Sequence, residues 1–314
     1  MNPIRTVLIA GAGAVGLTVA ETLYRHDPKG LAILAAGERL ERYRKKPLRI
    51  NGTSFDFSLA DPAADAANAF DLIIVASKYC HLNQIITDIK PFVGPETIIL
   101  SLLNGINSEE LIGQTYGRER LPLAMIVAID AQHKDGEISF TRRGVVHFGD
   151  AEGKETERDM ALARFFSGAE LPFEYHRQDM KKNLWYKFML NVGVNQTSAL
   201  LRLPYRAFKK NHSGGIPEAH KILEGAMKEV IRIAQAEGIG LEEGDIYNWY
   251  TTVELLSDEG YTSMCQDVFA ERKTEIELFG LTVMEYGKKH RIPTPVNELL
   301  YRALRAMEIS YGAA

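Results

Sequence analysis

Three polar residues stand four apart in an otherwise apolar stretch: Lys187, Asn191 and Asn195, within Trp185-Tyr186-Lys187-Phe188-Met189-Leu190-Asn191-Val192-Gly193-Val194-Asn195. On an α-helix a four-residue step overshoots one turn by about 40°, so the three share a face. Burying a lysine and two amides is costly unless each finds a hydrogen-bond partner. A ligand bearing a carboxylate and a carbonyl satisfies them, and so does a hydrogen-bond network internal to the protein. A second polar set lies further on, in Thr262-Ser263-Met264-Cys265-Gln266-Asp267 and Thr274-Glu275-Ile276. Taken alone, Glu275 reads as a surface residue.

The other chemistry-bearing feature is Gly11-Ala12-Gly13-Ala14-Val15-Gly16, which follows an apolar strand pattern and opens a helical one. Such a turn calls for glycine at its tight bend, where the backbone approaches a pyrophosphate, and where helix meets strand. The helix N-terminus then offers free N–H groups to phosphate. The motif alone is weak, and a merely structural turn is the alternative. The strand–turn–helix context favours a dinucleotide site over Gly11, Ala12, Gly13, Ala14, Val15 and Gly16. An NAD site places an acid about 20 residues on, at the ribose hydroxyls. Here the second strand ends Leu34-Ala35-Ala36-Gly37, and Arg39, Arg42, Arg44, Lys45 and Lys46 follow Glu38. That cluster suits the extra phosphate of NADP, or else is a solvated helix face. Lys78 and Asn104-Gly105 each come just after a predicted strand, where ligands of open parallel sheets bind, or are loop residues of no consequence.

The elements that must position these residues fall into two kinds. Thr6–Ala10, Leu31–Ala36, Leu72–Ser77 and Thr97–Leu103 are almost continuous apolar runs, as in parallel strands covered on both faces. Helical spacing separates them over Val15–His26 and His81–Lys90, the latter closed by Pro91. Leu121–Asp130, Glu137–Arg142 and Val145–Gly149 then read as antiparallel strands extending that sheet, with Asp135-Gly136 as a hairpin turn. From residue 179 the pattern is helical: Ile222, Ala226, Val230 and Ile233 recur at helical steps before Gly238. Asp267–Lys289 and Val296–Met307 are helical around the breaker Pro293-Thr294-Pro295. The polar stretch Glu174–Asp179 is the expected linker. The expected architecture is an α/β Rossmann-like dinucleotide-binding domain over 1–178 and an all-α domain over 179–314.

The 314 residues suit two domains at about 150 each. Composition is ordinary for a globular chain, with 46% hydrophobic and 25% charged residues. A formal charge of 37 − 41 = −4 leaves no basic excess for nucleic acid or a membrane surface. The run Val7–Leu17 behind Arg5 superficially resembles a signal peptide but reads better as a first strand entering the glycine turn. No other apolar run approaches the roughly 18 residues of a membrane span. Cys80 and Cys265 form no disulfide framework and match no zinc spacing, so a reducing cytoplasm is expected and no metal site is.

Together these motifs resemble the ketopantoate reductases (2-dehydropantoate 2-reductases), within the wider group of 6-phosphogluconate dehydrogenase-like proteins. The resemblance spans nearly the whole chain, from the glycine turn through Lys78, Leu103-Asn104-Gly105, the Lys187/Asn191/Asn195 helix with Thr197-Ser198-Ala199-Leu200, Ser263-Met264 with Asp267, and Thr274-Glu275-Ile276, to Ile292-Pro293-Thr294-Pro295. It implies hydride transfer from NADPH to the keto carbon of 2-dehydropantoate, giving pantoate for coenzyme A synthesis. By the same match, Lys187 is the general acid and Asn191, Asn195 and Ser263 hold the substrate. Asn104 lies near substrate and nicotinamide. Glu275 contacts the cofactor or orients the substrate hydroxyl, counting among the catalytic residues. Arg39 and Lys78 contact the cofactor, and Ala131 lies along it by its backbone. The partners implied are a small 2-keto acid and, as an assembly, a homodimer.

The chain departs from the family pattern at Ala36, where an arginine is usual, and at Asn107, where a glycine is common. It departs again at Tyr205 and Gly260, where some members carry substrate-binding asparagines. The proton-transfer set is intact while the specificity set is thinned. A reductase of another small or branched 2-keto acid is therefore the alternative. A non-catalytic NADP-binding sensor is a second one, against which Lys187 argues.

Overall fold

The computed structural model describes residues 2–64, 68–134 and 137–313, and the chain divides into two compact units, Met1–Lys181 and Lys182–Ala314. In the first, the order is β1 (Val7–Ala10), α1 (Ala14–His26), β2 (Leu31–Leu34), α2 (Gly37–Lys45), β3 (Leu48–Ile50), β4 (Thr53–Phe55), β5 (Ser58–Ala60), β6 (Phe70–Val75), α3 (Leu82–Asp88) and β7 (Val93–Ser101). There follow α4 (Ser108–Tyr116), β8 (Leu123–Ile129), β9 (Gln132–Lys134), β10 (Glu137–Ser139), β11 (Arg143–Gly149), α5 (Glu157–Gly168) and β12 (Phe173–Tyr175). The main sheet is parallel, in the order β5-β2-β1-β6-β7. Its apolar runs are continuous because both faces are covered. Val7, Ile9, Leu72, Ile74, Ile98 and Leu100 belong to one core cluster, and their alternate neighbours Leu8, Ala10, Ile73, Val75 and Ile99 to another.

The expected antiparallel extension of this sheet does not form. β8 and β11 pair with β12 in a separate three-stranded sheet, while β10 and β9 join β3 and β4 in a four-stranded one. A buried side chain explains part of the separation: Glu109 Oε1 accepts the Ala124 N–H of β8 at 3.2 Å. Burial raises the pKa of that carboxyl. The expected turn Asp135-Gly136 lies outside the described residues, although β9 and β10 on either side of it pair antiparallel. The expected linker Glu174–Asp179 is shortened at its start, while 176–179 remain without regular structure. Glu174 is a strand residue, because Phe173 and Tyr175 pack their rings on Phe148 at 5.9 and 5.4 Å and draw β12 onto β11.

Among its described residues the second unit holds helices joined by loops and no strand. A helix begins as α6 (Met180–Leu190), widens into a π turn over Asn191–Asn195 and continues as α7 (Gln196–Leu201). Then come α8 (Pro217–Ala236), α9 (Gly244–Glu254), α10 (Ser263–Phe269), a second π turn over Glu277–Leu281 running into α11 (Thr282–His290), and α12 (Pro295–Ser310). Gly238, at φ +76°, follows α8 as its pattern requires. The expected helix Asp267–Lys289 is broken after α10. There Glu271 adopts φ +50°, and buried Glu308 accepts both the N–H and the hydroxyl of Thr274, at 2.8 and 2.6 Å. Among the described residues no helix is long and apolar enough to cross a membrane.

Phe148 is fully buried and meets Phe166, Phe173 and Tyr175. Phe148→Ala is expected to destabilise the protein by about 3–5 kcal/mol, the usual cost of emptying a buried aromatic site, read as a lowered urea midpoint. A midpoint equal to that of the wild type would contradict this packing.

Candidate active site

In the first unit the glycine turn links β1 to α1, and its three glycines have different reasons to be glycine. Gly11 has φ +129°, and a Cβ there would stand 2.6 Å from the Ala76 carbonyl oxygen. A Cβ at Gly16 would overlap the Gly11 carbonyl oxygen. The fold itself therefore demands both. Gly13 is exposed, and a Cβ there would meet nothing closer than 3.9 Å. Packing does not require this glycine, and its bare backbone is open to a ligand. Gly13 is also the N-cap of α1, which has neither a side-chain cap nor an acid in its first turn. The open N–H end of a long helix fits a pyrophosphate. Ala12, Ala14 and Val15 are half-buried around it.

The strands that meet there are β1 and β6, neighbours in the sheet, with β2 on the other side of β1 and β7 beyond β6. The crossover direction reverses between β1 and β6, where open parallel sheets bind ligands. Lys78, exposed, follows β6, and half-buried Asn104 follows β7 ahead of Gly105 at φ +89°. The glycine turn, Lys78 and Asn104 thus stand beyond the carboxyl ends of three adjacent strands. Arg39 is exposed in the first turn of α2, beyond the end of β2. In the same helix Arg44 is paired with Glu41 and Arg42 lies over the Tyr43 ring. Ala131 follows β8, which belongs to a different sheet from the glycine turn, and is packed against the core.

In the second unit the π turn alters the stripe that the sequence predicts. Lys187 lies in α6 and Asn191 and Asn195 bound the π turn; all three are half-buried among buried Val192, Gly193 and Val194. A four-residue step overshoots a turn in an α-helix, but falls short of one in a π turn, which holds more than four residues. The two errors oppose each other, so Lys187, Asn191 and Asn195 line up better than in a regular helix. Two contacts hold this geometry. Gly193 lets α8 approach so closely that a Cβ would lie 2.6 Å from Met227 Cγ and 2.9 Å from the Leu223 carbonyl oxygen. Gln196 sends its backbone N–H to Gly193 O, while its side-chain Nε2 donates to Val192 O at 2.6 Å.

Gln196 in turn belongs to a buried chain that sequence reasoning missed. Its Nε2 also donates to Asn297 Oδ1 at 3.0 Å. Asn297 Nδ2 donates to Ala226 O at 3.1 Å and to Glu229 Oε2 at 2.7 Å. The Glu229 carboxylate accepts the N–H groups of Val296 and Asn297, at 2.9 and 3.0 Å, in the first turn of α12. The available signal was a glutamate on the apolar face of α8 beside Ala226 and Val230. Ser263 is exposed at the first position of α10, which packs on α7 and on the first π turn. Half-buried Glu275 lies between Thr274, fixed by Glu308, and the second π turn, which touches the first.

Tyr205 and Gly260, the two departures read from sequence, prove to be one feature. Tyr205 N–H donates to Gly260 O at 2.8 Å, and a Cβ at Gly260 would stand 2.9 Å from Tyr205 Cδ2. The tyrosine ring occupies the room that a side chain at 260 would need. Burial raises the pKa of its phenol.

A parallel sheet with an open glycine-turn helix end, followed by a helical unit carrying an aligned lysine and two amides, defines a two-domain oxidoreductase of the dinucleotide-binding class. Comparison with known proteins specifies it further. Residues 7–153 match the family described as Ketopantoate reductase PanE/ApbA, and residues 179–308 match its counterpart, Ketopantoate reductase PanE/ApbA C terminal. The chain is similar to the 2-dehydropantoate 2-reductase of Aquifex aeolicus (strain VF5), at 27% identity over 96% of each chain. It is similar to the solved 2-dehydropantoate 2-reductase from Geobacter metallireducens GS-15, with TM-score 0.80 and 25% identity over 96% of this chain and 99% of that one. The dimeric ketopantoate reductase from Staphylococcus aureus shares the fold, with TM-score 0.78 and 22% identity over 98% of this chain and all (100%) of that one. The chain belongs to the ketopantoate reductase family and is a nicotinamide-dependent oxidoreductase.

The glycine geometry separates folding from binding. Gly13→Ala is expected to melt like the wild type while NADPH affinity falls roughly tenfold, about 1.4 kcal/mol. Gly16→Ala is expected to lower the melting temperature as well. Thermal denaturation and fluorescence titration on the same preparations check this, and unchanged affinity in Gly13→Ala would remove the pyrophosphate from that turn.

Proposed function

We propose that this reductase converts 2-dehydropantoate to pantoate with NADPH, residues 1–178 serving as the NADP-binding domain and 179–314 as the substrate and catalytic domain. The observation that carries the reading is the alignment of Lys187 with Asn191 and Asn195 by a π turn, a costly local geometry that recurs at functional sites. NADPH, when bound, supplies the hydride. Gly11–Gly16 cradle its pyrophosphate, Arg39 meets its 2′-phosphate, and Lys78, Asn104 and the Ala131 backbone line its path. Asn191, Asn195 and Ser263 hold the substrate carboxylate and hydroxyl with neutral donors, which add no charge of their own. Reduction builds negative charge on the keto oxygen, and the Lys187 ammonium stabilises it and delivers a proton. Glu275 contacts the cofactor or orients the substrate hydroxyl.

One observation favours a second reading of the substrate. Because Tyr205 fills the space beside Gly260, an asparagine contact available to some family members is replaced by an aromatic wall. This suits another small or branched 2-keto acid with a more apolar tail. A homodimer in the cytoplasm is the assembly and setting we propose, supported by the dimeric Staphylococcus aureus relative and by two free cysteines, exposed Cys80 and buried Cys265.

General acid assistance is worth about 10²–10⁴-fold in rate. Lys187→Ala is therefore expected to lower kcat by roughly that factor, with NADPH affinity nearly unchanged and melting preserved. Lys187→Arg keeps the charge but holds its proton too tightly to restore the rate. Steady-state kinetics with 2-dehydropantoate beside a panel of 2-keto acids checks both substrate readings, and full activity in folded Lys187→Ala ends the mechanism. For the cofactor, the wild type is expected to prefer NADPH to NADH in kcat/KM, and Arg39→Ala to narrow that preference. A wild type that uses NADH equally well would overturn the 2′-phosphate assignment.

A further inference from the structure

The three-stranded sheet of the first unit carries a cluster that carbonyl reduction does not use. In the parallel pair β11 and β12, His147 lies in register with Glu174, and Phe148 with Tyr175. The ladder runs one residue further, since His176 N–H donates to Phe148 O at 2.9 Å. Side chains alternate along a strand, so His147, Glu174 and His176 share one face of the sheet. Val146, Phe148, Phe173 and Tyr175 turn to the other face, into the aromatic core. His147 Nδ1 and His176 Nε2 are 2.7 Å apart with their rings within 17° of parallel. Glu174 Oε2 stands 3.6 Å from each of those nitrogens.

We propose that His147, Glu174 and His176 form a binding site for a late divalent transition-metal ion, of which zinc is the representative. Two imidazole nitrogens and a carboxylate oxygen are the donor set that zinc, copper(II) and nickel(II) accept. The spacing fits: ligand atoms about 2.1 Å from a tetrahedral zinc stand about 3.4 Å from one another. The carboxylate oxygen is already near that separation from both nitrogens, and the imidazoles need to part by less than 1 Å. Without an ion, one imidazole donates N–H to the other. To admit the ion, the donor imidazole moves that proton to its other ring nitrogen, a tautomer change without change of charge. Access and preorganisation are both present. The histidine side chains are held at 13% and 21% exposure, while that of Glu174, 60% exposed, is free to swing. Three protein ligands leave the fourth position for water. The bound ion would clip the short edge strand β12 to β11 and thereby stabilise the first unit, as any ligand selective for the folded state does.

The test is titration of chelator-stripped, full-length protein with zinc sulfate by calorimetry, and with cobalt(II) followed by its visible d–d absorption. The expected result is one ion per chain with a dissociation constant of roughly micromolar or tighter, and a melting temperature raised by roughly 5 °C at saturation. His147→Ala and His176→Ala are each expected to weaken binding by roughly tenfold or more. Exposed His133→Ala serves as a control that leaves binding unchanged. His147→Gln and His176→Gln, closer in volume and still able to hydrogen-bond, give the same readout should an alanine variant fold poorly. Absence of saturable binding overturns the proposal. So does binding that survives both the His147 and His176 substitutions, since the ion is then held by other surface histidines.

Discussion

The π turn at Asn191–Asn195 is the constraint on which the second unit depends. A turn wider than the α-helix disturbs the regular hydrogen-bond ladder, and the backbone groups it releases need new partners. Gln196 meets this need at Val192 O, and the demand is then passed inward. Asn297 Oδ1 accepts from Gln196 Nε2, Glu229 accepts from Asn297 Nδ2, and the first turn of α12 gives Glu229 two N–H groups and the positive end of its dipole. A buried carboxylate is costly unless it is matched in this way. The helix that closes the chain thus supports, through three buried side chains, the backbone geometry that lines up Lys187, Asn191 and Asn195.

The parts of this structure legible in sequence are those governed by local rules. Unbroken apolar runs located the four central parallel strands, because burial on both faces leaves no room for polar alternation. The glycine turn announced itself by spacing, and the polar stripe by its four-residue step. What escaped depends on partners distant in the chain. The short strands β3 and β10 pair in parallel across more than eighty residues, a pairing that no local signal specifies. β12 was hidden in a polar stretch because its strand character comes from two rings packing on Phe148. The break after α10 rests on Glu308, far along the chain. The π turns were invisible for the same reason: Val192-Gly193-Val194 is unremarkable until Gly193 is seen against Met227 and Leu223.

Tyr205 and Gly260 show how a structure can change the meaning of two sequence differences. Counted separately, they are two lost polar contacts. In space they are one exchange, because the ring of one residue stands where the side chain of the other would be. Restoring an asparagine at 260 alone would collide with Tyr205, so the two positions have to change together. Tyr205 and Gly260 are therefore a sterically coupled pair, and a single substitution at either position carries strain from the other.

The same reasoning sorts the glycines of the nucleotide turn and gives a general criterion for the site. Gly11 and Gly16 are explained by the protein's own packing, since any larger residue meets the backbone of Ala76 or of Gly11. Gly13 is not so explained: it is exposed, unstrained and uncrowded, at a helix end that no side chain caps. A residue whose type the fold does not demand, placed where the fold leaves donors open, points outward to a ligand. Lys187, Asn191 and Asn195 are polar residues set half-buried among buried Val192, Gly193 and Val194, so the apolar packing around them does not by itself explain their type. By contrast, the types of Glu229 and Glu308 are explained within the fold by the N–H groups they accept.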